Sequence, residues 1–229
     1  MKKIRFLATS DFHSDLKLIG KIEKELQKTP VDFIIITGDI SEKKDDFAKL
    51  LGIFKGKQIF LVPGNHESKK QLQILQEKYN VHLVGNSPVL INENLALFGS
   101  NYIGIGRHGL HEQLIFNNMV ENFNSVKDIK NKIFLTHIPP HDTVMGNASP
   151  YFPLIGGSIA TRVFLDNFEP NIAFVGHIHE TSGLEEIVNK TKVINVARTF
   201  KIFEFDTKTH KILEMGDLRL RTGDKKEKK

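Results

Sequence analysis

Nine residues of this chain, Asp11, His13, Asp39, Asn65, His66, Glu67, His137, His177 and His179, carry side chains that bind metals or move protons. They fall in five short strings: DFH at Asp11, GDI at Gly38, GNHE at Gly64, TH at Thr136 and GHIH at Gly176. Four of the strings follow a run rich in Ile, Phe, Leu or Val. Polar loops at the ends of apolar strands can converge on one edge while the strands hold them rigid. Hard and borderline divalent ions take oxygen and imidazole ligands, and paired ions sit roughly 3.5–4 Å apart around a shared carboxylate. Two carboxylates (Asp11, Asp39), one carboxamide (Asn65) and four imidazoles (His13, His137, His177, His179) could serve two ions.

Singly, each string is weak. Asp-x-His and Gly-Asp arise by chance, Gly-Asn also marks a turn, and His-Ile-His fits two half-exposed histidines at a strand end. All five in this order are very hard to obtain by chance. In order and spacing they resemble the calcineurin-like metallophosphoesterase superfamily. The segment THIPPHDT from Thr136, GGS from Gly156, Arg162 and GHIHE from Gly176 make the chain most similar to the small Icc-related phosphoesterases and their metallophosphodiesterase relatives.

The resemblance assigns Asp11, His13, Asp39 and His179 to one metal, and Asp39, Asn65, His137 and His177 to the other, with Asp39 bridging. On that assignment two divalent ions, two aspartates and a bridging hydroxide leave a charge of about +1, which attracts an anionic phosphoester. An aspartate in place of Asn65 would bring the same count to about zero. His66 adjoins Asn65, and neighbouring side chains in an extended or turning segment point apart, so His66 is free for another task. The resemblance places it over the leaving-group oxygen as a general acid, a contribution of roughly 10² to 10⁴ in rate. It makes Glu67 the carboxylate that orients the His66 ring. One departure stands out: many members carry a second acid three positions after the bridging aspartate in a GDxxD string, and here GDISE puts Glu42 there.

The function implied is a dinuclear-metal-dependent phosphoesterase, foremost a phosphodiesterase that opens a small phosphodiester, such as a nucleotide ester, through a metal-bridging hydroxide. A phosphomonoesterase or protein phosphatase, a nuclease, and a non-catalytic scaffold are the alternatives. Donors without sulfur fit Mn²⁺ first, and also Fe, Zn²⁺, Co²⁺ or Ni²⁺.

Further candidates flank these strings. His141, whose loop starts at His137 and is stiffened by Pro139 and Pro140, is a candidate substrate contact. Gly156, Gly157 and Ser158 precede an apolar pattern of helical spacing, so they open a helix either as a simple cap or as an anion site of free amides. Arg162, one turn on, is a substrate contact or a surface charge. Tyr151 and Phe152 either stack on a base or pack on their own domain. His82 and His210 alternate with apolar residues as surface or edge positions. His108 and His111 lie in GIGRHGLHE, whose glycines lack the strand-to-helix unit of a dinucleotide fingerprint.

The elements that must position these residues are strand candidates 4–9, 33–37, 58–62, 81–84, 95–99, 132–136, 171–175, 192–196, 200–205 and 211–215. Leu16, Ile19, Ile22 and Leu26, and later Leu72, Leu75 and Tyr79, recur at helical spacing. The first half reads βαβαβ with parallel strands, and the closely spaced last strands read as an antiparallel meander. Together they give two packed mixed sheets with helices outside, the four-layer αββα sandwich that the resemblance also implies.

With 229 residues and 40% hydrophobic content, the expectation is one domain over 1–220 and a charged tail over 221–229. That tail holds five basic and two acidic residues, a net +3 of the chain's +5, so the body is weakly charged and argues against nucleic acid. There is no cysteine, hence no thiolate chemistry and no disulfide scaffold. The opening MKKIRFLATSDFH is a first strand rather than a signal peptide, and no run approaches the ~18 to 20 apolar residues of a membrane span. A cytoplasmic enzyme acting on a small phosphoester is the expectation.

Overall fold

The computed structural model describes residues 3–100, 112–148 and 156–215. His108, His111, Tyr151, Phe152 and the tail 221–229 lie outside the described residues. Twelve strands among them form two six-stranded sheets. The first contains β1 (Lys3–Thr9), β2 (Phe33–Ile36), β3 (Gln58–Leu61), β4 (Val81–Leu83), β11 (Phe200–Asp206) and β12 (Lys211–Glu214), in the order β12-β11-β1-β2-β3-β4. The second contains β5 (Val89–Asn92), β6 (Leu95–Gly99), β7 (Asn131–Leu135), β8 (Ile172–Val175), β9 (Glu185–Val188) and β10 (Thr191–Asn195), in the order β5-β6-β7-β8-β10-β9.

Each sheet has a parallel centre, β1 to β4 in one and β6, β7, β8 and β10 in the other. Antiparallel strands flank both centres. Side-chain alternation along the strands builds three apolar layers. Phe6, Ala8, Phe33 and Ile35 of the first sheet meet Leu97, Leu135, Phe174 and Ile194 of the second. Leu7, Ile34 and Ile36 face outward onto α1 (Leu16–Lys28), α2 (Phe47–Leu51) and α3 (Lys69–Lys78). Phe98, Phe134 and Val175 face α4 (Glu112–Ser125) and α6 (Ile159–Phe168), with the one-turn α5 (Val144–Asn147) nearby. The sequence of layers is helix, sheet, sheet, helix, as expected.

Local sequence explains the helix starts. Asp15 caps α1, accepting from the Lys17 and Leu18 amides, and Ser68 with Gln71 forms a capping box at α3. Leu18, Ile19 and Ile22 are the buried face of α1, whereas Leu16 is 56% exposed.

The final strands correct the meander. β9 and β10 form one antiparallel hairpin and β11 and β12 another, but β10 pairs parallel with β8, whereas β11 crosses to the first sheet and pairs antiparallel with β1. An isolated parallel bridge between Ser10 and Ala197 joins the sheets at that crossing.

Candidate metal centre

The five strings follow β1, β2, β3, β7 and β8, all parallel strands, so they open on one end of the sandwich. Asp11 and His13 follow β1, Asp39 follows β2, and Asn65, His66 and Glu67 follow β3. His137 follows β7, and His177 and His179 follow β8. The crevice beyond the carboxyl ends of parallel strands is where ligands of α/β sheets bind.

The backbone there is bent out of ordinary conformations. Asp11, His13, Asp39 and His177 all have positive φ, between 42° and 68°. Non-glycine residues hold this region at a cost of about 1–3 kcal/mol each and only where the surroundings enforce it. Glycines make the enforcement possible. A Cβ on Gly64 would lie 2.1 Å from Asp39 Oδ1, and one on Gly176 would lie 2.4 Å from Asp11 Oδ2. Gly64 and Gly176 are therefore gaps into which a carboxylate fits.

Asp39 Oδ1 accepts the His66 amide at 3.1 Å, which aims Oδ2 at three imidazoles. The Nε2 atoms of His137, His13 and His66 lie 3.3, 3.6 and 3.9 Å from Oδ2. Asp11 accepts the His177 amide, and its Oδ1 meets His179 Nε2 at 3.0 Å and His13 Nε2 at 3.8 Å. Asn65 Oδ1 lies 3.1 Å from His137 Nε2, while His137 Nδ1 donates to the Thr37 carbonyl at 2.6 Å. That carbonyl fixes the ring and leaves Nε2 as the ligating nitrogen.

Both aspartates are buried, yet both stay ionised. Burial pushes each carboxyl up, but His13 and His179 hold Asp11, and His137 holds Asp39, below the usual carboxylate range. Burial, then the neighbouring His137, pushes His177 down to about 3, so its ring is neutral.

The donor set fits divalent ions. His177 Nε2 is buried with no hydrogen-bond partner, an arrangement that costs about 1–3 kcal/mol and that a metal would relieve. Two groups bring their donor atoms within 4.8 Å of one another: Asp11, His13 and His179, and Asp39, His137 and His177. Asn65 adjoins the second. A third group at that spacing comprises His13, Glu42 and His66.

Glu67 does not reach the His66 ring. It is 2% exposed, and its oxygens accept the amides of Asp39, Ile40 and Gly64 at 3.0, 2.6 and 2.8 Å. Burial first, then the Asp39 charge, raises its carboxyl to about 6. The carboxylate beside His66 is Glu42, with Oε1 3.3 Å from Nδ1. Glu42 is the residue at the departure in GDISE, and its spacing from Asp39 was the signal in the sequence.

The flanking candidates form a structural unit. Ser158 caps α6, accepting from Thr161 N at 3.1 Å, and donates to Glu112 at 2.8 Å. Glu112 also takes the Ala160 amide at 2.6 Å, so a carboxylate of the chain already stands at this helix start. Nothing in the sequence pointed to Glu112. Gly157 lets its chain approach the next loop, where a Cβ would lie 2.4 Å from the Pro140 carbonyl. The His141 amide donates to the Ser158 carbonyl, and Arg162 donates to the Asp142 carbonyl at 2.8 Å and to Asp166 at 2.9 Å. Gly157, Ser158 and Arg162 thus hold the loop that carries His141.

The sequence model that describes calcineurin-like phosphoesterases matches residues 4–181, a span that takes in all nine residues of the five strings. The chain is 26% identical over 227 residues to the uncharacterized protein MJ1162 of Methanocaldococcus jannaschii, covering 93% of this chain and 96% of that one. Among solved structures it resembles TT1561 of Thermus thermophilus, with a TM-score of 0.67, 18% identity and coverage of 93% of this chain and 98% of the other. A dimetal phosphatase from Danio rerio has a TM-score of 0.64 at 10% identity, covering 87% of this chain and 92% of its own.

Proposed function

Because the chain belongs to the calcineurin-like phosphoesterase family, we propose that it is a phosphodiesterase that uses two divalent ions to open a small phosphodiester, a nucleotide ester among the candidates. The observation that carries this reading is Asp39 Oδ2, set 3.3 to 3.9 Å from the Nε2 atoms of three imidazoles contributed by both sheets. Asp11, His13, Asp39 and His179 would hold one ion, and Asp39, Asn65, His137 and His177 the other. Bound there, the ions would supply Lewis-acid charge to the phosphoryl oxygens and an activated water.

The remaining work falls to the chain. Glu42 would hold a proton on His66 Nδ1, which turns Nε2 toward the centre as the donor to the departing oxygen. Glu67 would keep the Asp39 and Gly64 loops in place through their amides. The loop with His141, tied by Arg162, is the proposed wall of the substrate site. Gly157 and Ser158 would support that wall rather than touch substrate. Manganese as the metal and a cytoplasmic location belong to the same proposal. Among the described residues no helix is long and apolar enough to cross a membrane.

His66→Asn tests the assignment of roles. Turnover of a model diester should fall by roughly 10² to 10⁴ while metal content by elemental analysis stays at the wild-type level. Loss of bound metal in this variant would contradict the role given to His66.

A further inference from the structure

Arg198 lies beyond the residues matched by the family and outside the five strings. It is the turning point of the crossing from β10 to β11, in the left-handed region with φ 51°. Its amide donates to the Ser10 carbonyl at 3.0 Å, immediately before Asp11. Its guanidinium donates through Nη2 to Asp15 Oδ2 at 3.2 Å, just past His13. The residue is therefore anchored on both sides of the loop that carries Asp11 and His13, by its backbone at Ser10 and by its side chain at Asp15.

The three arginines among the described residues differ in where they stand. Arg5 pairs with Glu204 through Nε near the start of β1, at the far end of that strand from Asp11, and Arg162 binds Asp142, His141 and Asp166. Arg198 meets Asp15 through Nη2 alone, so among the described residues Nε and Nη1 have no partner. Asp15, by contrast, is satisfied: its Oδ1 caps α1 and its Oδ2 takes Arg198. A guanidinium with free N–H groups is suited to charge-assisted contact with a phosphate or carboxylate. At 43% exposure it stands at the rim, while Asp11 and Asp39 are 0% and 2% exposed at the bottom.

We propose that Arg198 binds a second anionic group of the substrate, a phosphate or carboxylate separate from the phosphoryl group held by the histidines and aspartates. The inference rests on the phosphoesterase reading and assigns part of its specificity.

The test compares two diesters that differ by one phosphate: thymidine 5′-(p-nitrophenyl phosphate) and the same ester carrying a 3′-phosphate. The wild-type protein should show a KM about tenfold lower for the second ester, at similar kcat. Arg198→Gln should abolish that difference, and Arg198→Lys should restore part of it. Asp15→Asn breaks the ion pair but keeps both the guanidinium and a good cap, so it should retain the preference. Equal KM for both esters in the wild type, or equal losses in Arg198→Gln and Asp15→Asn, would overturn the proposal. Calorimetric binding of thymidine 3′,5′-bisphosphate separates the two claims. Arg198-dependent binding without hydrolysis of either ester would sink the phosphoesterase reading and keep the anion site, whereas binding indifferent to Arg198→Gln would remove the site.

Discussion

Glu67 accepts three backbone amides from inside the protein, and Glu42, 69% exposed at its side chain, touches the His66 ring from outside. These positions predict opposite consequences. Glu67→Ala leaves three buried N–H groups without acceptors, so it should lower unfolding free energy by about 3 kcal/mol or more and release metal with it. Glu42→Ala should leave stability within about 0.5 kcal/mol and lower kcat by up to roughly 10²-fold through a misplaced ring. Urea unfolding and steady-state kinetics on the two variants check this; the reverse pattern would return the orienting role to Glu67. At this scale the five strings were legible because metal chemistry demands particular side chains at strand ends. What they did not reveal was direction. Whether Glu67 points at its neighbour or back under Asp39 depends on the turn through Gly64, which residue type alone does not determine. Glu112 was invisible for a related reason, since it meets Ser158 and Ala160 only after two helices have packed.

Between elements, the pairing of β1 with β11 sets where the first string begins. Arg5 stands opposite Glu204 in this register, and Glu204 accepts Lys3 at 2.6 Å and Arg5 at 3.0 Å. Burial pushes the Glu204 carboxyl up, but the two cations outweigh it and hold it below the ordinary glutamate value. A carboxyl whose pKa is lower folded than unfolded stabilises the fold above the unfolded value, and that contribution disappears as pH falls through the folded one. Glu204→Gln should therefore cost about 1–2 kcal/mol at pH 7, and the gap from wild type should close progressively below about pH 4.3. A gap that widens in acid would contradict the assignment. The strands of both parallel centres were legible because they are buried on both faces and read as continuous apolar runs, though the parallel pairing of β10 with β8 was not. β5 and β9 were not: they are part-exposed edge strands, Glu93-Asn94 follows one and Asn189-Lys190 the other, and their short mixed patterns resemble loops. The crossing from β10 to β11 escaped notice because a three-residue spacing between strands suggests a hairpin, and only tertiary pairing with β8 and β1 separates them.

In the whole molecule, the centre exists only while two sheets stay together. Asp11, Asp39 and Asn65 come from the first sheet, and His137, His177 and His179 from the second. Between the sheets Phe203 stacks against Phe6 at 5.3 Å and meets Phe174 edge-on at 5.0 Å. Phe203→Ala should lower stability by about 3–5 kcal/mol, and added metal, binding only the folded state, should recover part of the lost Tm. A Tm unmoved by metal would show that the two sheets do not share a ligand. The most direct test of the central claim is hydrolysis of bis-p-nitrophenyl phosphate and p-nitrophenyl phosphate by metal-stripped protein titrated with Mn²⁺. The account predicts no turnover without metal, activity that rises as two equivalents bind, and a higher kcat/KM for the diester. Hydrolysis indifferent to metal, or a preference for the monoester, would contradict it.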